Sequence, residues 1–418
     1  MCSWEGVGVN LLAKNPRFTS LTVANACNEL SQALSFVAIP LGILTIGGSA
    51  TSAGVVAFLS AACGIGSQFV SGAIVDRFNA SVVLKVATAI QVLTWLVVAL
   101  LFYAGTFNIT IIGVAAVVAS IAASVSSPCD NVLISRIVAR DDLGAANTIV
   151  QGREACANLV GSPLGGLLVG WSLGVAMIVQ SVFHGIALFL VPSVGSAVQE
   201  DSGEQDSGGQ ESVYGLWDGF RFVWKNPGLR AVVFVASLIN LPLSMQPIVL
   251  FSHYEAVGVS SLLIGFYASA MGLGVVVGSV VGVKLLEKVS MGWVGIVTLL
   301  VLSLGFVFIS VVYGSILFVG VVSFVSGLLL PVFNGAIGAY TMAVTPEHIL
   351  ARVVAATGIP GLVLSPLGPL LGGFLSDSYG VFFALCIAAL LTFPPLVVAV
   401  LSKSFRGLPL IQEISRDS

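Results

Sequence analysis

Glu29 stands near the middle of an apolar run spanning residues 18 to 46, where a carboxylate is out of place unless something receives it. A charge at the centre of a hydrocarbon layer costs about 2.5 to 3.5 kcal/mol, so such an acid faces a bundle interior or a water-filled cavity and marks an ion or substrate pathway. Asn25, Asn28, Ser31 and Gln32 lie within about one helical turn of it and extend a polar stripe along one face. A base is found in the same situation: Arg153 sits deep in the run 143 to 170, among Asn147, Gln151, Glu154 and Asn158. At that depth it cannot easily snorkel to an interface, so it needs an acid, and Glu154, Glu29 or Asp130 can supply one. Glu154, its neighbour in sequence, points about 100° away around a helix, which directs attention to Glu29 and Asp130. Asp130 follows a helix-weakening proline in Ser126-Ser127-Pro128-Cys129-Asp130-Asn131, and either caps the helical piece after Pro128 or lines the cavity. Glu29, Asp130, Arg153 and Glu154 are therefore the candidates for proton coupling and for a cavity lining, with Glu29 first among them.

The chemistry that is missing narrows the function further. The chain shows no Ser-His-Asp arrangement, no phosphate-binding Gly-x-x-x-x-Gly-Lys-Ser/Thr and no metal-ligand spacing, so it reads as neither an enzyme nor a built-in ATPase, and no metal or cofactor is indicated. Six cysteines are present without a C-x-x-C pair, and most fall inside apolar runs, as small packing residues do. His184, alone among apolar neighbours, reads as a hydrogen-bonded core histidine.

Elements that cross a bilayer must carry these residues. Of the 418 residues, 57% are hydrophobic and only 8% charged, and the mean hydropathy is +1.06. Those values describe a polytopic membrane protein. A spanning helix takes ~20 mostly apolar residues, and that length predicts twelve: six between residues 18 and 194, six between 228 and 402. The expected fold is all-α, twelve transmembrane helices in two pseudo-symmetric six-helix bundles, residues 1–194 and 228–418. Between them, residues 195–227 form a linker: a polar, acidic stretch followed by Leu216 to Lys225, whose Trp217, Phe220, Phe222 and Trp224 among charges suit either a helix lying in the membrane interface or a soluble helix packed under the bundle. Lys14-Asn15-Pro16 recurs at the head of the second half as Lys225-Asn226-Pro227, and Gly165-Gly166 recurs as Gly372-Gly373, so the halves repeat one another. Every Lys and Arg except Arg153 falls at a terminus or in a loop on one face, which makes that face cytoplasmic and puts both termini there. The net charge of -3 comes largely from the acidic linker and indicates no nucleic-acid partner.

Between the second and third spans, Gly72-Ala73-Ile74-Val75-Asp76-Arg77-Phe78-Asn79 resembles the cytoplasmic loop motif of the major facilitator superfamily, G-x-x-x-D-R/K-x-G-R-R/K. In that motif the glycine permits close helix packing while the acid and base form a relay latching the two halves. Gly72, Asp76 and Arg77 match; Asn79, Ala80 and Ser81 replace the trailing glycine and basic pair. A second motif of the superfamily, G-P-x-x-G-G, typical of its antiporters, is intact as Gly368-Pro369-Leu370-Leu371-Gly372-Gly373. It is altered in the first half as Gly161-Ser162-Pro163-Leu164-Gly165-Gly166. Glycines at this spacing let helix backbones approach closely. Val138 to Asn147 and Val344 to His348 further resemble the branch holding macrolide-efflux proteins and the enterobactin exporter.

The resemblance implies a central cavity, alternating access by rocking of two bundles, and proton-driven export of a small amphipathic molecule by a monomer in the cell membrane. The residues alone say secondary transporter. An importer or facilitator without proton coupling, and a membrane-embedded protein that is not a transporter, are the alternatives.

Overall fold

A computed structural model of the chain describes residues 11–194, 211–286 and 289–408. The acidic part of the linker, 195–210, lies outside the described residues. The first half folds as α1 (Pro16–Thr45), α2 (Ala50–Arg77), α3 (Ala80–Tyr103), α4 (Ile109–Ala123), α5 (Ser126–Ile137), α6 (Leu143–Trp171) and α7 (Leu173–Leu190). After α8 (Glu211–Lys225) come α9 (Pro227–Ala256), α10 (Ser261–Leu286), α11 (Met291–Val312), α12 (Ile316–Leu328), α13 (Leu330–Val344), α14 (Leu350–Leu364), α15 (Leu367–Tyr379) and α16 (Val381–Leu401). Among the described residues, 11 helical stretches are long and apolar enough to cross a membrane. The twelfth expected span is α6, a helix of 29 residues; Gln151, Arg153, Glu154 and Asn158 keep it from qualifying on hydropathy.

The repeated tripeptide starts the first helix of each half in the same way. Asn15 caps α1 by accepting from the Phe18 amide, and Asn226 caps α9 by accepting from the Gly228 and Leu229 amides. In both, the following proline takes a first-turn position where its missing N–H costs nothing. Both helices are followed by a glycine at positive φ, Gly47 (85°) and Gly258 (75°), a left-handed conformation that other residues adopt only with strain. The fourth span of each half is broken, at Ser124–Val125 between α4 and α5 and at Leu329 between α12 and α13. Pro128 therefore sits in the first turn of α5, where no carbonyl waits for its missing donor.

Packing sorts the chain into two units, one holding residues Met1–Gly48, Leu59–Gly203 and Val259–Ser269, the other Ser49–Phe58, Glu204–Gly258 and Ala270–Ser418. In the first, α1 packs along α6 and α7, and α3 packs on α7, around Phe18, Leu21, Leu84, Leu133 and their neighbours. In the second, α9 packs along α15 and α16, α11 packs on α16, and α8 lies against α14. Val223, Leu229, Val232, Leu299, Phe333 and Phe405 belong to its core.

Glycine backbones mark the closest approaches within each unit. A side chain at Gly161 would meet Leu30 and Ala33 of α1, and one at Gly165 would come within 2.6 Å of the Leu34 carbonyl. Gly166 lies against the Ser261 backbone, and Gly265 against that of Ser162. In the second unit, Gly368 faces Leu241 and Ser244 of α9, Gly372 faces Met245 and Ile248, and Gly373 lies on the Ala50 backbone. Gly72 departs from the expected close packing: nothing stands within 4 Å of where its side chain would begin. The reason is local: Gly72 lies on the open side of α2 with the exposed Phe69 and Val70, whereas Ser71 and Val75 face the core. Its counterpart Gly278 does make such a contact, with the Leu328 backbone.

Candidate functional site

Three helices of the first unit bring one base and two acids together. Arg153 of α6 donates from Nε to Glu29 Oε2 (2.9 Å) and from Nη2 to Glu29 Oε1 (2.6 Å), the bidentate fork that suits a carboxylate. The same Nη2 donates to Asp130 Oδ2 of α5 at 3.0 Å. Asp130 is held from its other side by Asn25 Nδ2, which donates to Oδ1 at 2.6 Å. The Arg153 side chain is 6% exposed, that of Glu29 21% and that of Asp130 11%. Asp130 thus lines the cavity and makes no capping hydrogen bond to α5.

The choice left open between Glu29 and Asp130 as partner of Arg153 resolves as both. Glu154 lies on the exposed part of α6 and forms no ion pair among the described residues; it lines the same cavity. That cavity, about 530 Å³, is bordered by Asn25, Glu29, Gln32, Asp130, Arg153 and Glu154. Two more polar atoms of lining residues, Asn28 Nδ2 and Ser126 Oγ, are buried and find no partner among the described residues.

Behind the cluster, polar side chains that sequence alone left unconnected tie α1 to α7. His184 Nδ1 lies 2.9 Å from Asn28 Oδ1, and the Ser35 hydroxyl donates to Gln180 Oε1. Gln180 carried a readable signal, an amide in an apolar run, but the partner that explains it is far away in sequence. Asn131 and Asn158 also border the cavity, and Asn158 donates to the Glu154 carbonyl at 2.9 Å.

The loop motif and the glycine runs do not join this site. Asp76 and Arg77 are exposed, and no ion pair engages either among the described residues. Asn79, standing where the family motif has its trailing glycine, caps α3 through the Ser81 amide (2.9 Å) and donates to the Val194 carbonyl at 2.9 Å. Asp377, at the end of α15, accepts from the Ala50 and Thr51 amides at 3.2 and 2.7 Å and so caps α2 across the sequence. As an acid close to the end of a span it was visible in the sequence, but its partner was not. Among the described residues no group of His, Cys, Asp and Glu has the arrangement of a metal site.

Chemically, the cluster holds two carboxylates against one guanidinium, so with all three ionised it carries a net negative charge beside a polar cavity. One proton, or one cationic group of a ligand, balances it.

Comparison with known proteins agrees with this architecture. A family model described as Major Facilitator Superfamily matches residues 21–359. The multidrug efflux pump Tap of Mycolicibacterium fortuitum is 25% identical over 394 residues, covering 90% of this chain and 93% of its own. Among solved structures, a point mutant of the nucleoside transporter NupG superposes with a TM-score of 0.75 at 14% identity, covering 92% of this chain and 99% of that one. A bacterial homologue of the human lysosomal transporter Spinster, inward-facing and unoccupied, gives 0.68 at 16% identity, covering 96% and 97%.

Proposed function

The chain belongs to the Major Facilitator Superfamily, and from that membership we propose that it is an efflux pump of the cell membrane, exporting small amphipathic molecules in exchange for protons. The relative named as a multidrug efflux pump, aligned over 90% of this chain, supports the direction and the substrate class. The observation that carries the coupling is the Glu29–Arg153–Asp130 cluster at the wall of a polar cavity inside an otherwise apolar bundle.

In this reading the cluster alternates between two neutral states. Open to the outside, it takes a proton, and Arg153 stays paired with the acid that remains ionised. Open to the cytoplasm, it gives the proton up and accepts a substrate, most readily a cationic one, whose charge restores the balance. Both exchanges conserve charge within a site where uncompensated charge is costly. With a cationic substrate the exchange moves no net charge, so the pH difference alone drives it, at about 1.4 kcal/mol per pH unit; with a neutral substrate one net charge moves, and ~100 mV adds about 2.3 kcal/mol. The moving parts are the bundles 1–194 and 228–418, joined by 195–227, with both termini cytoplasmic, and a single chain suffices.

Inside-out vesicles containing the protein should accumulate a fluorescent cationic drug when acidified inside, and lose that accumulation when the proton gradient is collapsed. Glu29→Gln, which mimics the protonated acid, should abolish gradient-driven accumulation while retaining substrate exchange. Uphill accumulation by Glu29→Gln that still follows pH would place coupling elsewhere, with Asp130 and Glu154 next; uptake into the vesicles indifferent to the gradient would indicate a facilitator.

A further inference from the structure

We infer that the second unit carries a binding site for an anionic phospholipid beneath α8, with the headgroup on Arg221, Lys225 and Arg230 and an acyl chain running between α9, α14 and α16. A groove of about 1180 Å³ is present there, larger than the ~300–1,000 Å³ of most small-molecule sites. It lies among α8, α9, α14 and α16, with α14 packed on both α8 and α9. Its wall is mostly apolar, with Phe234, Leu238, Pro360, Leu364 and Val398, and the hydroxyl-bearing residues Ser237, Ser402 and Ser404 are the uncharged polar ones among them. A water-filled cleft of that composition would be unfavourable, and a hydrocarbon chain fills it without cost.

The rim is chemically distinct from the wall. Arg221 and Lys225 of α8 and Arg230 of α9 border the groove, are exposed, and have no ion-pair partner among the described residues. The one acid on the rim, Asp218, stands 3.8 Å from Arg352 and is offset by it. Arg230 is steadied by donating to the Trp224 carbonyl at 3.5 Å, with its guanidinium carbon 5.9 Å from the Trp224 ring centre. Trp217 and Trp224 are 69% and 72% exposed on the same helix, the placement of aromatic anchors at headgroup level. Bases above an apolar slot, flanked by interfacial tryptophans, match an anion with hydrocarbon attached.

The full-length protein, purified in detergent and freed of lipid, is titrated with phosphatidylglycerol and with phosphatidylcholine of identical chains, and binding is read by native mass spectrometry. Phosphatidylglycerol should bind at least tenfold more tightly, and each of R221Q, K225Q and R230Q should weaken it about fivefold, while K225R leaves it in place. The comparison of headgroups on the unaltered protein needs no variant to fold. Equal binding of the two lipids, or an unchanged affinity in the triple variant, would overturn the site. So would displacement of the lipid by glycerol 3-phosphate at comparable concentration, which would make it a site for a free anion. Displacement by a cationic drug with equal effect in the triple variant would equally overturn it and make the groove a substrate vestibule.

Discussion

Arg153 illustrates how a single charge inside a membrane organises its surroundings. Two acids from α1 and α5 converge on it, and Asn25 occupies the remaining side of Asp130, so every member of the cluster is partly satisfied by another. Removing the base leaves two carboxylates uncompensated, whereas removing one acid leaves the other pair intact. Arg153→Ala should therefore be the most damaging of the single substitutions here, at about 3 to 5 kcal/mol. The Arg153→Ala/Glu29→Gln double variant should lose less than the two effects combined, by a coupling of about 0.5 to 3 kcal/mol. Thermal unfolding in detergent of the four proteins in the cycle measures that coupling; strict additivity would show that the bidentate contact contributes nothing to stability.

At the scale of elements, the glycines divide into those that touch a backbone and those that do not. Gly165 packs on the Leu34 carbonyl at 2.6 Å measured from where its side chain would begin, so Gly165→Leu must force α6 away from α1. Transport should fall severely while the protein still inserts at normal levels. Gly72→Leu, with open space around it in this conformation, should leave thermal stability unchanged, and a drop in unfolding temperature comparable to that of Gly165→Leu would contradict the open space at this position. Asp377 belongs to the same scale, since it accepts from the first two amides of α2 while Ser49, just before the helix, accepts from the Ser52 amide. Asp377→Ala should destabilise by about 1 to 2 kcal/mol, the ordinary cost of a lost cap, and Asp377→Asn should recover most of it; equal unfolding temperatures in all three would show the cap to be inconsequential.

For the whole molecule the question is orientation, because export requires that the two faces differ. All the basic residues but Arg153 lie at termini, in loops or near helix ends that the expected topology assigns to one face, and on the positive-inside rule we propose that this face is cytoplasmic. In a cysteine-free background, an impermeant thiol reagent added to intact cells should label a cysteine placed at Ser49 and spare one placed at Ser207. The reverse pattern would invert the topology and, with it, the direction proposed for transport.

Span length, hydropathy and the Lys-Asn-Pro repeat were enough to reveal a membrane protein of two repeated halves, because a bilayer imposes the same length and polarity on every helix that crosses it. The same constraint made Glu29, Asp130 and Arg153 stand out, since charge at that depth is too costly to be incidental. Sequence also reached Arg153's need for an acid, but not the answer: the choice among Glu29, Asp130 and Glu154 depended on how α1, α5 and α6 rotate against one another, and packing alone sets those rotations. The same holds for Asn28 with His184 and for Asp377 with the start of α2. The groove beneath α8 was equally hidden, for it lies among α8, α9, α14 and α16, and no residue along its wall signals a cavity until those helices are in place.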